Sequence, residues 1–329
     1  MTPRVRTLAW LLLLGLAACE GRRSEVTSAP PPPRSAAPSP AASPAPARAG
    51  GPPEAAGAAA PMRQGPASRR GLWIWELGRN APAAERAAEL AGSWGAGRVF
   101  LKAANGNDAA RWSRNFNEAT VAPFLRRGIE VWAFGYFYAE GVPDATGRTW
   151  GTLEEQAEAM ARVALLPGVH GLVVDAEAEF VGRAADATRL CDLLRRRIAQ
   201  HEPRDARVAR AGVPPGRVAL AYTSFGWLSA HPGFPFEAFD AHCGDAFLPQ
   251  VYYAFGWPGG VEGSLARVHD EVQRRGLRAP VWPIQSNERD PELDRLQRFF
   301  DLAGPDASVF YLHPEGTPQT AKLGLLRWK

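Results

Sequence analysis

Between residues 71 and 329, short apolar runs alternate with stretches of helical period, and this alternation limits the possible folds more than any other feature of the chain. The runs occupy residues 72–77, 98–103, 130–138, 171–177, 218–224, 247–254, 280–285 and 308–313. Most are separated by stretches such as 83–94, 153–165, 184–198, 265–275 and 291–302, each with Arg or Glu on one face and Ala or Leu on the other. Strand followed by helix, repeated, implies parallel strands joined by crossover connections. Eight strands in a segment of about 260 residues match the size of a single (β/α)8 TIM barrel, so the expected fold class is α/β with a closed parallel barrel. No Gly-x-Gly-x-x-Gly follows the first run, which argues against an open dinucleotide-binding sheet. The weakest joint lies between the fifth and sixth runs, where residues 227–245 have little helical period.

Ahead of this segment the composition changes. Arg4 and Arg6 precede a short apolar stretch, residues 8–18, which closes in Leu16-Ala17-Ala18-Cys19. The pattern resembles the lipobox of bacterial lipoproteins. That resemblance implies that residues 1–18 are a signal peptide and that Cys19 is lipidated and becomes the mature N-terminus. It also implies a protein anchored to a bacterial membrane in the cell envelope, periplasmic or associated with the outer membrane. Glu20, rather than Asp, after the cysteine favours the outer membrane. Residues 19–70 are Pro, Ala, Ser, Gly and Arg with almost no large apolar side chain, so they cannot offset their ordering entropy and read as a disordered tether. Such a tether reaches on the order of 100–150 Å when extended. Residues 71–329 remain as the folded domain.

Composition removes several function classes. With 38 basic and 34 acidic residues the formal net charge is only +4, too small and too scattered for nucleic-acid binding. Three cysteines exclude a disulfide-scaffold protein, and no run after the first twenty residues is long and apolar enough to span a bilayer. The histidines lack His-Glu-x-x-His spacing, and His242-Cys243 with distant Cys191 is too loose for zinc, so neither metal nor cofactor is expected. An exported location permits a Cys191–Cys243 disulfide without dictating one. No Gly-x-Ser-x-Gly supports a serine hydrolase.

Functional side chains of such barrels gather where strands end. The fourth run, Gly171-Leu172-Val173-Val174, passes directly into Asp175-Ala176-Glu177-Ala178-Glu179. With Leu172 and Val174 turned toward helices, Val173, Asp175 and Glu177 point into the barrel mouth, roughly 7 Å apart along the strand. Two carboxyls crowded at a partly dry mouth raise each other's pKa, so one stays protonated near neutral pH and can act as a general acid on a glycosidic bond. The plain alternative makes Asp175 a helix cap, with Glu177 and Glu179 in an exposed first turn. Lys102, ending the second run, would keep Asp175 ionised while Glu177 holds its proton. Aromatic rings suited to stacking on sugars are Trp73 and Trp75 on the first run, Tyr136 and Tyr138 on the third, Tyr222 on the fifth and Tyr252 on the sixth. Gln250 and Gln285, near the ends of the sixth and seventh runs, complete the candidate substrate contacts.

The order Gly71-Leu72-Trp73-Ile74-Trp75, Phe100-Leu101-Lys102-Ala103-Ala104-Asn105-Gly106, Gly135-Tyr136-Phe137-Tyr138, Asp175-Ala176-Glu177 and Tyr222-Thr223 resembles the strand series of glycoside hydrolase family 25, the muramidase lysozymes. The resemblance implies Glu177 as the acid, Asp175 as its charged neighbour and peptidoglycan glycan as the substrate. Two positions depart from that family: Trp73 stands where a first-strand aspartate is usual, and the eighth run lacks Trp-Gln-Tyr. Asp175-Ala176-Glu177 with Gln250-Val251-Tyr252 is also similar to the chitinases of glycoside hydrolase family 18. That resemblance implies attack by the substrate's own N-acetyl group, with Asp175 orienting it, Glu177 protonating the leaving oxygen and Tyr252 bonding to the acetamido carbonyl. The expected function is hydrolysis of peptidoglycan or another N-acetylated amino-sugar polymer. An inactive barrel that binds cell-wall glycan or a protein is the alternative.

Overall fold

The computed structural model describes residues 69–201, 218–311 and 313–328. Expectations for the signal peptide, Cys19 and the tether lie outside the described residues, apart from Arg69 and Arg70. These two already belong to the folded body: Arg69 pairs with Asp306 at 2.9 Å, and Arg70 lies over the Phe300 ring.

Eight parallel strands close into a barrel in sequence order, with the eighth pairing back onto the first. They are β1 (Gly71–Ile74), β2 (Arg98–Asn105), β3 (Glu130–Tyr136), β4 (Val169–Asp175), β5 (Ala219–Phe225), β6 (Phe247–Gln250), β7 (Ile284–Gln285) and β8 (Ser308–Tyr311). Among the described residues the helices are α1 (Ala84–Trp94), α2 (Ala109–Trp112), α3 (Glu118–Leu125), α4 (Leu153–Ala164), α5 (Ala184–His201), α6 (Phe236–Cys243), α7 (Gly260–Arg275), α8 (Leu293–Ala303) and α9 (Pro318–Leu325). The expected (β/α)8 barrel is the observed fold. The weak joint at 227–245 contains α6, whose Phe236 and Phe239 are buried and whose Cys243 forms a disulfide with Cys191 of α5. Local signals set the helix ends: Thr152 and Glu155 form a reciprocal capping box on α4, and Gly95 in the left-handed region stops α1.

Alternation along the strands divides the apolar residues into two bodies. Leu72, Ile74, Leu172, Val174, Leu220 and Tyr222 face the helix layer. Trp73, Phe100, Trp132, Phe134, Val173, Ala221, Leu248, Ile284 and Phe310 fill the barrel interior. Below them Arg98 closes the N-terminal end, held at 2.7 Å by both Glu130 and Asp306 and lying 4.3 Å over Trp282.

This division corrects three sequence expectations. Trp73 is not at the mouth: it lies within the barrel, 1% exposed and stacked on Phe100 at 4.4 Å, with its indole N–H donating to Ser308 Oγ at 2.8 Å. Tyr222 is level with Val174 and Phe247, points outward, and stacks on Phe247 and Phe239 beneath α6. Gln285 alternates with inward-facing Ile284 and is completely buried, its amide donating to the Ser286 carbonyl. None of the three is exposed at the C-terminal mouth.

The large rings inside fit only because other inward positions are bare. A Cβ on Gly171 would stand 2.4 Å from Cζ3 of Trp132. Gly171→Ala should therefore overpack the interior and cost about 1–3 kcal/mol. Thermal denaturation should register this as a drop of roughly 2–4 °C per kcal/mol; an unchanged melting temperature would contradict the packing described.

Candidate active site

Asp175 is the last residue of β4, in register with Tyr136 of β3 and Thr223 of β5. Its backbone is fixed on one side, because its carbonyl accepts from Phe137 N at 2.9 Å; the next residue, Ala176, donates to Thr223 O on the other. Glu177 follows with a backbone that is neither helical nor regular strand (φ −133°, ψ −136°), before a single 3-10 turn, Ala178–Phe180. The turn places Glu177 at the mouth rather than along an exposed helix face. Asp175 and Glu177 are 6% and 8% exposed, so both carboxyls are nearly removed from water.

Gln250, the last residue of β6, joins them. Its Nε2 donates to Glu177 Oε1 at 3.0 Å and to Asp175 Oδ1 at 3.4 Å. One amide nitrogen thus spans both acids and sets their spacing across the barrel. Burial pushes both carboxyls well above the ordinary carboxylate range. The two differ in what opposes burial. For Asp175 the main opposing influence is the positive charge of Lys102, whereas Glu177 is pushed up further by the charge of Asp175. Ionisation of either carboxyl holds the proton on the other, so the pair favours one charged acid beside one protonated acid, the division of roles that acid catalysis needs.

Lys102 is completely buried on β2. Its ammonium lies 4.2 Å from the centroid of Trp75, 5.2 Å from Phe134, 5.5 Å from Tyr136 and 5.7 Å from Trp112. Facing aromatic rings stabilise a dehydrated cation without neutralising it, so the charge still acts on the acids. Asn115 holds this corner together: its Nδ2 donates to Lys102 O at 2.7 Å and Trp75 O at 3.1 Å, while its Oδ1 accepts from Leu77 N at 2.6 Å. The role of Asn115 was invisible in the sequence, since it depends on the loop between α2 and α3 returning to the ends of β1 and β2.

Glu179 is a third carboxyl that the sequence pattern presented but left with an exposed turn as its plain reading. It is half-buried and accepts from the Tyr136 hydroxyl at 2.7 Å. Burial raises its pKa, against the pull of that hydrogen bond. Tyr136 remains a protonated donor because burial and the charges of Glu177, Glu179 and Asp175 all oppose its ionisation. Tyr138 lies behind it, 6% exposed, stacked on Trp150 at 5.4 Å and accepting from Asn105 Nδ2 at 3.2 Å. The Trp150 indole donates to Asp144 Oδ2 at 2.8 Å, so the loop after β3 braces this wall. Gly106, at φ 53°, permits the approach: a Cβ there would meet Trp150 Cβ at 2.3 Å.

On the opposite wall Tyr252 is half-buried, its hydroxyl kept protonated by burial and by the charges of Glu177, Asp175 and Glu288. The structure thus brings Asp175, Glu177, Lys102, Gln250, Trp75, Tyr136 and Tyr252 to one mouth, with Tyr138 in its wall.

A (β/α)8 barrel with a buried carboxyl pair at its C-terminal face is the class that fold and site define. No protein-family model matches the sequence, and no curated protein is detectably similar to it. Solved structures similar to the chain include the glycoside hydrolase domain of PgaB (BpsB) from Bordetella bronchiseptica. That likeness has a TM-score of 0.49 at 12% identity and covers 79% of this chain and 98% of that one. A family 39 glycoside hydrolase from Bacteroides cellulosilyticus is similar with a TM-score of 0.46 at 14% identity, covering 74% of this chain and 56% of that one. A chitinase from Chromobacterium violaceum follows with a TM-score of 0.38 at 17% identity, covering 66% and 68%. At such identities the likeness is one of fold.

Raised carboxyl pKa values carry a stability consequence. Between the ordinary carboxylate range and the raised values, the native state binds protons that the unfolded chain releases. Stability therefore falls as pH rises through that window and is regained below it. Glu177→Gln removes one buried ionisable group. Its melting temperature should exceed that of the parent at pH 7.5, by roughly 2–4 °C per kcal/mol relieved, and the gap should shrink toward pH 4. A gap that is absent at pH 7.5, or that widens on acidification, would contradict the site electrostatics.

Proposed function

We propose that this protein is an envelope-anchored glycoside hydrolase acting on an N-acetylated amino-sugar polymer, peptidoglycan first among them. The observation that carries the reading is the Asp175–Glu177 pair, buried at the mouth and spanned by one Gln250 nitrogen. Glu177, holding its proton, donates it to the glycosidic oxygen as the bond to the anomeric carbon breaks. Trp73 within β1 and Trp75 just beyond its end take the inward positions there, so that strand supplies no carboxylate nucleophile. The substrate's own acetamido oxygen attacks the anomeric carbon instead, closing a ring that carries positive charge. Ionised Asp175 lies where it can orient and stabilise that group, and the Tyr252 hydroxyl supplies a hydrogen bond to it. Water then opens the ring and returns a proton to Glu177, so the acid is restored. Trp75 and Tyr136 offer ring faces to sugar, and Lys102 acts through its charge.

Anchoring through lipidated Cys19 belongs to the same proposal. The Cys191–Cys243 disulfide is consistent with an oxidising, extracytoplasmic compartment. Cys19→Ala should move the protein from the membrane fraction to the soluble fraction on cell fractionation; retention in the membrane would defeat the anchor.

Purified protein on a peptidoglycan zymogram should clear the gel, and Glu177→Gln should lower turnover by roughly 10²–10⁴-fold while glycan binding persists. The second reading, an inactive barrel that holds glycan, is favoured by the small exposure of both acids, 6% and 8%. Binding without clearing by the unmutated protein would establish it.

A further inference from the structure

Two large indoles stand partly open to solvent on the loops that follow β5 and β6. Trp227 and Trp257 are both half-buried, with ring centroids 6.0 Å apart. The first of these loops is braced. The Trp227 indole donates to Ser229 Oγ at 3.1 Å, and Ser229 donates to Glu271, a buried carboxyl of α7, through Oγ at 2.5 Å and through its backbone N at 2.9 Å. Large rings contribute most to a fold when fully covered, so a pair held in place yet half open is suited to packing against a ligand.

The pair is continuous with the acid site. A Cβ on Gly226 would stand 2.6 Å from the Gln250 carbonyl oxygen and 3.0 Å from Trp257 Cη2, so the Trp257 ring lies close beside the backbone of the residue that spans both acids. A second path leads from Tyr252 to Phe255, a half-buried ring 5.8 Å away. Each path ends in an arginine. Arg267 of α7 lies 4.2 Å over Trp227, and Arg289, on the loop after β7, lies 4.9 Å over Phe255. Neither guanidinium forms an ion pair among the described residues. A guanidinium resting on a ring face keeps its edge N–H donors for an anion.

We propose that these rings and arginines form a binding surface for an anionic amino-sugar strand, the open parts of the rings packing against sugar faces while Arg267 and Arg289 pair with carboxylates borne on the sugars. The inference rests on the saccharide reading above and narrows its substrate class: a strand carrying lactyl or peptide carboxylates, as peptidoglycan does, is preferred over a neutral one such as chitin. The planar guanidinium matches the fork of a carboxylate. A ring beneath it fixes its plane before the ligand arrives, so less freedom is lost on binding.

The test uses the full-length protein carrying Glu177→Gln, so that binding is read without turnover. Calorimetry at low and at high salt compares chitotetraose with a peptide-free peptidoglycan tetrasaccharide, which has the same backbone and adds lactyl carboxylates. The anionic sugar should bind more tightly, and high salt should reduce the difference. Adding Arg267→Gln together with Arg289→Gln should weaken the anionic sugar roughly 5- to 30-fold and affect chitotetraose far less. Trp257→Ala should weaken both sugars, because it removes packing rather than charge. Equal affinity of the Glu177→Gln protein for the two sugars, an arginine double variant that binds the anionic sugar as before, or an equal loss for both sugars overturns the inference. Unchanged affinities in Trp257→Ala also overturn it. Should the double variant fail to fold, the parent's preference and its salt dependence still decide. If the Glu177→Gln parent binds neither sugar, and the unmutated protein neither binds nor clears peptidoglycan, the saccharide reading itself fails and the inference with it.

Discussion

Trp73 lying flat on Phe100 is the contact on which the mouth depends. The pair stacks at 4.4 Å, Phe134 meets Trp73 edge-on at 4.8 Å, and Phe310 leans on it at 5.3 Å. Together these rings make a dry floor across the barrel. No polar group placed just above that floor can be solvated from below. Lys102, Asp175 and Glu177 must find partners among themselves and their immediate neighbours. The electrostatics of the site follow from this packing, because removal of water makes one lysine charge matter to two carboxyls.

The same floor makes the site costly. Two buried acids with raised pKa values oppose folding at neutral pH, and the chain tolerates them because the remainder is well packed and closed at its far end by the Arg98 ion pairs. Such concentrations of unfavourable groups are expected where chemistry is done and not where the fold is merely held together. Asn115, Gln250 and the braced Tyr136–Tyr138 wall restrain backbone and side chains around the acids, so the cost secures a defined geometry.

The strands, most of the helices and the inward face of β4 were legible because each is a local pattern. An apolar strand that turns abruptly acidic must direct the acids to the one place where charge is tolerable. The facing of β5 was not legible. Its residues Ala219, Leu220, Ala221 and Tyr222 allow either face, and only the crowding of Trp132 and Phe134 inside reserves the interior for the alanines and sends Tyr222 outward. Trp73 and Trp75 share a face, yet one step along the strand separates a floor from a mouth. Gln285 was misplaced because β7 is too short to display an alternation.

By itself, then, the sequence determined the architecture, the position of the acid pair along the chain and the signals at the helix ends. All of these arise from period and composition within a few residues. The tertiary structure alone decided which rings plug the barrel and which face its opening, that Gln250 spans both acids, and that Asn115 and Glu179 come to the same rim. Those relations join residues that lie tens to hundreds of positions apart, and barrel closure, which no local pattern encodes, is what brings them within hydrogen-bonding reach.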